Sequence, residues 1–449
     1  VTDPPAAASA APAAPSPRWR DRRSTQFALL AVVAIAIPLG WWIASTIFVG
    51  GNGFNDFHDF YLAGKLVAQG HSPYDKQALA ELGKAEGLHF VVGTGYSYPL
   101  PFALAMIPLT ALPFTVAVLV FNAFSLALFG LTASAWIGWA HGWDPPLLGR
   151  RVALAAAAGL YPSVYGTIAN GQANLVLFPL LGLGTIAALD GAGRLSRLAG
   201  GVGIGLAAIV KLTPGLFIVP LLLGRQLRAA TGLVLGAAGA LVAATLLAPW
   251  AGEGSEGLLS LFDPDSYFTN QSINGFVSRL VLPSERTLPV WDHGFDARLA
   301  VALLTGLLAL ATLLVLWRAR ASLSTRRGLA LGLGLALVAG LIGASKGTYW
   351  NQALVLIPAG LLLAVETPDL RLRGLGRADL ALLACWLLGT AIQTWLWMHP
   401  PPKVGPWAPV VTLVQSSSVY GLLALWLVFV RRLGRTQAPT RTSVSDRFG

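Results

Sequence analysis

The chain has 449 residues, of which 55% are hydrophobic and only 11% charged, and its mean hydropathy is +0.64. Soluble domains carry about 25% charged residues, so composition excludes an ordinary soluble fold and points to an all-α polytopic membrane protein. The net charge of +11 reads as membrane orientation rather than nucleic-acid binding, because arginines stand in short clusters between apolar runs.

Residues 1–23 are rich in Ala, Pro and Ser and end in a basic flank. They read as a disordered cytoplasmic tail. The run Phe27–Val49 is too long for a signal-peptide core and reads as a first transmembrane helix with its basic end inside. Segment 50–98 is then the first extracytoplasmic loop. In it Phe57, Phe60, Tyr61, Gly64 and Val67 recur at helical spacing, which predicts a helix lying at the membrane surface. A second helix is expected over Gln77–Ala85. Tyr98–Leu112 is apolar, short and proline-punctuated, and reads as re-entrant or packed against the bundle.

Further apolar runs follow at 114–140, 152–168, 173–189, 198–210, 216–223, 229–250, 299–317, 328–342, 353–365, 380–397 and 419–430. With alternate runs crossing in order, the clusters at Arg150/Arg151, Arg194/Arg197, Arg225/Arg228, Arg318/Arg320/Arg326/Arg327, Arg371/Arg373/Arg377 and Arg431/Arg432 all fall on one side. That arrangement gives about twelve spans. The domain covers residues 24–432, with a second long outer loop over 251–298 and a disordered cytoplasmic tail over 433–449. Frequent Gly and Ala in the spans favour close helix packing. No internal repeat is visible, which disfavours an inverted-repeat transporter. The lone cysteine, Cys385, allows no intramolecular disulfide.

Candidate chemistry collects in the outer segments. Asp56 opens the surface helix, with Asp59 one turn later. A carboxylate there can take a proton from a hydroxyl, while the plainest role for Asn55 or Asp56 is to cap the helix; the two roles are compatible. His58, His71, His89, His293 and His399 lie in outer segments without metal-ligand spacing, and HExxH and CxxC motifs are absent, so no metal is expected. Asn170, Gln172 and Asn174 put three amides into five residues beside apolar spans, suited to capping or to a sugar or phosphate. Lys211 interrupts apolar sequence and either binds a lipid phosphate or snorkels to the interface. Arg279 could fork onto a phosphate. Asn270-Gln271-Ser272 matches a glycosylation sequon. In the turn Ser345–Gln352, Lys346 is a phosphate candidate and Trp350 a sugar-stacking one.

The order Asp56-Phe57-His58-Asp59-Phe60-Tyr61-Leu62-Ala63-Gly64, then Gly70-His71-Ser72-Pro73-Tyr74 and Tyr98-Pro99, resembles the first-loop signature of glycosyltransferase family 87. Gly171-Gln172-Ala173-Asn174, Lys211 with Thr213-Pro214, and Asn270-Gln271-Ser272 with Gly275 and Arg279 extend the resemblance, which runs from about Phe27 to Val365. It implies a GT-C fold with its active site on the outer face. It also implies a mannose-like hexose carried on polyprenyl phosphate, and transfer with inversion to a glycolipid or polysaccharide acceptor.

The family's first-loop aspartate matches Asp56, as catalytic base. Lys211, Arg279 and Lys346 would bind the donor phosphate. Asp59, Tyr61, Tyr74, Gln172, Asn174, Asn270, Gln271, Trp350 and Asn351 would form the rest of the substrate site. No cofactor is expected beyond the lipid-linked sugar as co-substrate, and the setting would be a bacterial plasma membrane. The turn SKGTYWNQ departs from the family, with Asn351 and Gln352 where a histidine often stands. The competing reading is a transporter or flippase of a lipid-linked sugar.

Overall fold

A computed structural model describes residues 17–50, 54–88, 96–251, 263–283, 286, 288–291, 296–399 and 408–435. Most of the N-terminal tail, His89, His293, part of the second long loop and residues 436–449 lie outside the described residues. The chain is all-α. Its helices are α1 (Pro17–Ser45), α2 (Asn55–Ala68), α3 (Lys76–Ala85), α4 (Leu100–Met106), α5 (Phe114–His141) and α6 (Leu148–Leu160). They continue with α7 (Pro162–Asn170), α8 (Asn174–Asp190), α9 (Arg194–Val210), α10 (Ile218–Leu223), α11 (Leu227–Leu247) and α12 (Ile273–Val281). The last are α13 (Ala297–Arg318), α14 (Arg326–Gly343), α15 (Leu356–Glu366), α16 (Arg377–Met398), α17 (Ala408–Val414) and α18 (Ser417–Arg435).

Among the described residues eight helices are long and apolar enough to cross a membrane, or nine if α6 and α7, bent by 46° at a break, form one span. The bend falls at Tyr161-Pro162, where proline begins a new helix without needing an N–H donor. α8 and α9 are shorter, with 17 residues each, or ~25 Å of rise against a hydrocarbon core of ~30 Å. The sequence expectation of about twelve spans counted these short helices and the Thr213–Leu223 segment as crossings.

Small residues set how closely the bundle packs. A Cβ on Gly201 or Gly205 of α9 would come 2.1 or 2.2 Å from the Ala229 or Leu233 carbonyl oxygen of α11. On α11, a Cβ on Gly232 or Gly236 would sit 2.1 or 2.5 Å from the Leu198 or Val202 carbonyl oxygen of α9. Both helices thus carry the small-x-x-x-small spacing that lets backbones touch.

The arginine clusters gather at one end of the bundle. Arg326 pairs with Asp190 at 2.8 Å, and Arg432 reaches Glu366 at 3.0 Å and Asp379 at 2.6 Å. Arg150 donates to the Asp369 carbonyl at 2.8 Å. These bonds tie α8 to α14, α6 to the segment after α15, and α18 to α15 and α16. At the opposite end α2 lies on a small apolar core of its own. Phe57, Phe60, Tyr61, Leu66 and Val67 are buried there with Phe102, Met106 and Phe121. The helical spacing read from the sequence marks this buried face. The Tyr98–Leu112 stretch forms α4 and a following turn that pack along α2, and the Tyr61 hydroxyl donates to the Leu112 carbonyl at 2.8 Å.

Candidate active site

Asp56 is placed by its neighbours in sequence. Phe57 packs against Phe121 and Phe114, with ring centroids 5.1 and 5.7 Å apart. Phe60 meets Tyr98 and Phe102 edge-on at 4.8 and 4.9 Å. Beneath α2 runs Gly171, with φ +65°, where a Cβ would stand 2.5 Å from the Phe57 Cβ. Only glycine provides both the left-handed backbone and the clearance. Gly171 ends α7 and turns the chain directly into Gln172.

The capping reading is corrected for Asp56, which stands inside the helix rather than at its cap. Phe54, not Asp56, is the N-cap, itself left-handed at φ 48°, and the side chain of Asn55 lies outside the described residues. The Phe54 carbonyl accepts from Phe57 N at 2.9 Å and His58 N at 3.2 Å. Asp56 is therefore left for other work, and its Oδ2 is buried with no hydrogen-bond partner. Such an atom is costly to hide, which marks it as a place where an incoming donor would bind.

Three further elements close around it. The Tyr98 hydroxyl donates to Gln172 Oε1 at 2.8 Å. Lys211, the residue after α9, donates to the same oxygen at 3.5 Å and to Asn351 Oδ1. Its ammonium stands 5.7 Å from the centre of the Tyr98 ring, a cation–π distance. Asn174 Nδ2 donates to the Trp350 carbonyl at 3.0 Å and to Asn351 Oδ1 at 3.4 Å. Asn351 Nδ2 donates to the Lys346 carbonyl at 3.2 Å. In the turn where a histidine was expected, Asn351 holds the lysine.

The electrostatics follow from burial. Desolvation lifts the Asp56 carboxyl to about 6, against the opposing pull of the Gln172 amide and the Lys211 ammonium. Asp59 is raised to about 8 by burial and by the neighbouring charge of Asp56. Burial lowers Lys211 to about 7, with Asp56 opposing. Between about pH 6 and 7 one carboxylate, one neutral acid and one ammonium share the site.

The structure thus brings together Asp56, Asp59, Gln172, Asn174, Lys211 and Asn351. Tyr74 lies close by, donating to the Tyr98 carbonyl at 3.2 Å. Tyr61 faces the apolar core instead.

Arg279, Asn270 and Gln271 form a separate buried knot. The Arg279 guanidinium donates to the carbonyls of Tyr267 at 3.0 Å and Asn270 at 2.6 Å, and to Ser416 Oγ at 2.8 Å. Asn270 Nδ2 donates to the Ser345 carbonyl at 3.0 Å, and Gly347 N donates to Asn270 Oδ1 at 3.0 Å. Gln271 donates to the carbonyls of Phe268 and Gln415. Asn270 is 0% exposed, so the sequon reading is corrected: this fold gives a glycosylating enzyme no access to it. Lys346 is exposed, and only its carbonyl joins the cluster.

Tyr98 was absent from the expected site residues, although Tyr98-Pro99 carried part of the resemblance. A tyrosine just before a proline in a loop gave no chemical signal of its own.

A carboxylate and a lysine thus meet within a polytopic helical bundle. The model of glycosyltransferase family 87 matches residues 96–345, more than half of the chain. The chain belongs to that family and is a membrane glycosyltransferase. No curated protein and no solved structure matches it. The matched segment holds Tyr98, Gln172 and Lys211, while Asp56 precedes it and Asn351 follows it. The fold brings both into the cluster.

Proposed function

We propose that the chain transfers a hexose, mannose, from polyprenyl phosphate to an extracytoplasmic glycolipid or polysaccharide acceptor, with inversion. The observation that carries this reading is the pairing of Asp56, with its unpartnered buried oxygen, and Lys211, held by Gln172 and Asn351. The acceptor hydroxyl attacks the anomeric carbon and gives its proton to Asp56 Oδ2. The bond from that carbon to the phosphate oxygen breaks, and the phosphate leaves on its lipid. The Lys211 ammonium meets the negative charge that gathers on the leaving oxygen. Asp59, neutral near pH 7, keeps the site from carrying two negative charges against the donor. The arginine-rich end faces the cytoplasm of a bacterial plasma membrane, as the bias of positive charge favours, and puts Asp56 on the outer face.

The donor is tested by presenting purified protein in nanodiscs with labelled polyprenyl-phosphate mannose or, separately, GDP-mannose, each with a crude acceptor lipid pool. Product from the first and none from the second is expected. Product from the nucleotide sugar alone would overturn the reading.

A further inference from the structure

A line of aromatic rings runs beside the Asp56 cluster and has no part in the transfer chemistry. Trp41, from α1, stacks on Tyr165 of α7 with centroids 4.7 Å apart and planes 7° from parallel. Tyr165 meets Trp397 of α16 edge-on at 5.8 Å and 66°. Trp397 packs on Tyr349 at 5.1 Å, and Tyr349 on Trp350 at 5.3 Å. Trp41 and Trp397 are half-buried, while Tyr165, Tyr349 and Trp350 are buried. At the inner end the Trp350 carbonyl accepts from Thr167 Oγ1 and Asn174 Nδ2, and the next residue, Asn351, holds Lys211.

An interfacial belt is the ordinary reason for tryptophans near a membrane surface. A belt places rings singly around a bundle, each facing headgroups. Here rings from three helices and the 349–355 turn converge into one contiguous line. A second observation is independent of the stacking: the Tyr349 hydroxyl and the Trp350 Nε1 are buried without hydrogen-bond partners. Lipid contact at Trp41 and Trp397 requires neither of these inner donors.

We propose that this line is a carbohydrate-binding shelf that takes a pyranose ring of the acceptor against its half-buried members, Trp41 and Trp397. The face of a pyranose carries weakly positive C–H groups that suit the negative face of an aromatic ring. The line contains no lysine or arginine, so it does not suit the donor's phosphate, which Lys211 serves. This inference rests on the glycosyl-transfer reading of the Asp56 cluster and deepens it, because it assigns a sugar, rather than a peptide, to the acceptor side.

The test is binding, which needs no turnover. The full chain in nanodiscs is titrated by saturation-transfer NMR with octyl α-mannoside, octyl β-glucoside and octyl β-galactoside, with octanol and empty nanodiscs as controls. At least one glycoside binds above the octanol control. Trp41→Leu and Trp397→Leu, which keep an apolar side chain in the bilayer, weaken it about tenfold, equivalent to ~1.4 kcal/mol, while Trp41→Phe stays within about threefold of wild type. Two substituted positions guard against one variant failing to fold. The shelf is overturned if no glycoside exceeds octanol, or if both leucine variants bind like wild type. Failure of the transfer reading is read in turnover of the wild-type chain and failure of the shelf in glycoside binding, so the two give different results.

Discussion

Replacing Lys211 by methionine removes the cation that faces Asp56 while keeping the side chain's length and its packing near Tyr98. In the wild-type site, burial has moved the Asp56 carboxyl from 3.8 to about 6, a bias of about 3 kcal/mol against the charged form. A base must be ionised, so kcat/KM should rise as pH increases through about 6. Lys211 must keep its proton to meet the phosphate, so kcat/KM should fall again above about 7.

An opposite charge within ~4–6 Å depresses a carboxyl by about 1–3 pH units. Without Lys211 the rising limb should therefore move up by at least about one pH unit, and the falling limb near 7 should disappear. Donor KM should also rise. The assay is initial transfer rate against pH in nanodiscs, with labelled polyprenyl-phosphate mannose as donor. The position of the rising limb stays readable even if the overall rate drops. An unchanged rising limb in Lys211→Met would refute the placement of this lysine beside the base.

Two other substitutions probe what positions the site. Gly171→Ala forces a left-handed alanine, costing about 1–2 kcal/mol, and drives a methyl group into Phe57. Because α2 rests there, transfer should fall by at least about tenfold, with a lowered Tm. Wild-type activity would show that the seat of α2 is irrelevant. Arg279→Met strands the carbonyls of Tyr267 and Asn270, at about 3 kcal/mol. It should lower Tm in detergent while donor KM stays within about threefold in the folded fraction. A large rise in KM with unchanged Tm would return Arg279 to phosphate binding.

The membrane class and α2 were legible in the sequence because both rest on simple periodicity. Apolar residues three and four apart at Phe57, Phe60, Tyr61 and Gly64 mark a buried helix face whatever surrounds it. α3 was legible too, and its N-cap Asp75 accepts from Gln77 N and Ala78 N. Gln172, Asn174 and Lys211 stood out as polar residues in apolar surroundings, and burial by the bundle turned that contrast into a site.

What sequence could not give was direction. An arginine in a polar loop looks the same whether its fork meets a phosphate or, as at Arg279, two carbonyls and a serine. Asp56 looked like a helix cap because Asx residues are good at it. The cap position fell to Phe54, whose carbonyl accepts from Phe57 N and His58 N. Tyr98 gained its place only when Gln172, 74 residues away in the chain, came within reach of its hydroxyl. The short α8 and α9 remained hard to distinguish from full spans because length, not composition, separates them.

The central claim is that Asp56 accepts the proton. Asp56→Asn keeps the shape of the side chain and removes its basicity. The most direct measurement is kcat for release of polyprenyl phosphate by this variant, beside Asp59→Asn, in the presence of acceptor at pH 7. A general base contributes about 10²–10⁴-fold, so Asp56→Asn should lose a factor in that range with donor KM held within about threefold. Asp59→Asn replaces a group already neutral at that pH, and should stay within about threefold of wild type. Asp56→Asn retaining more than a tenth of the wild-type rate, or Asp59→Asn taking the loss instead, would contradict the account.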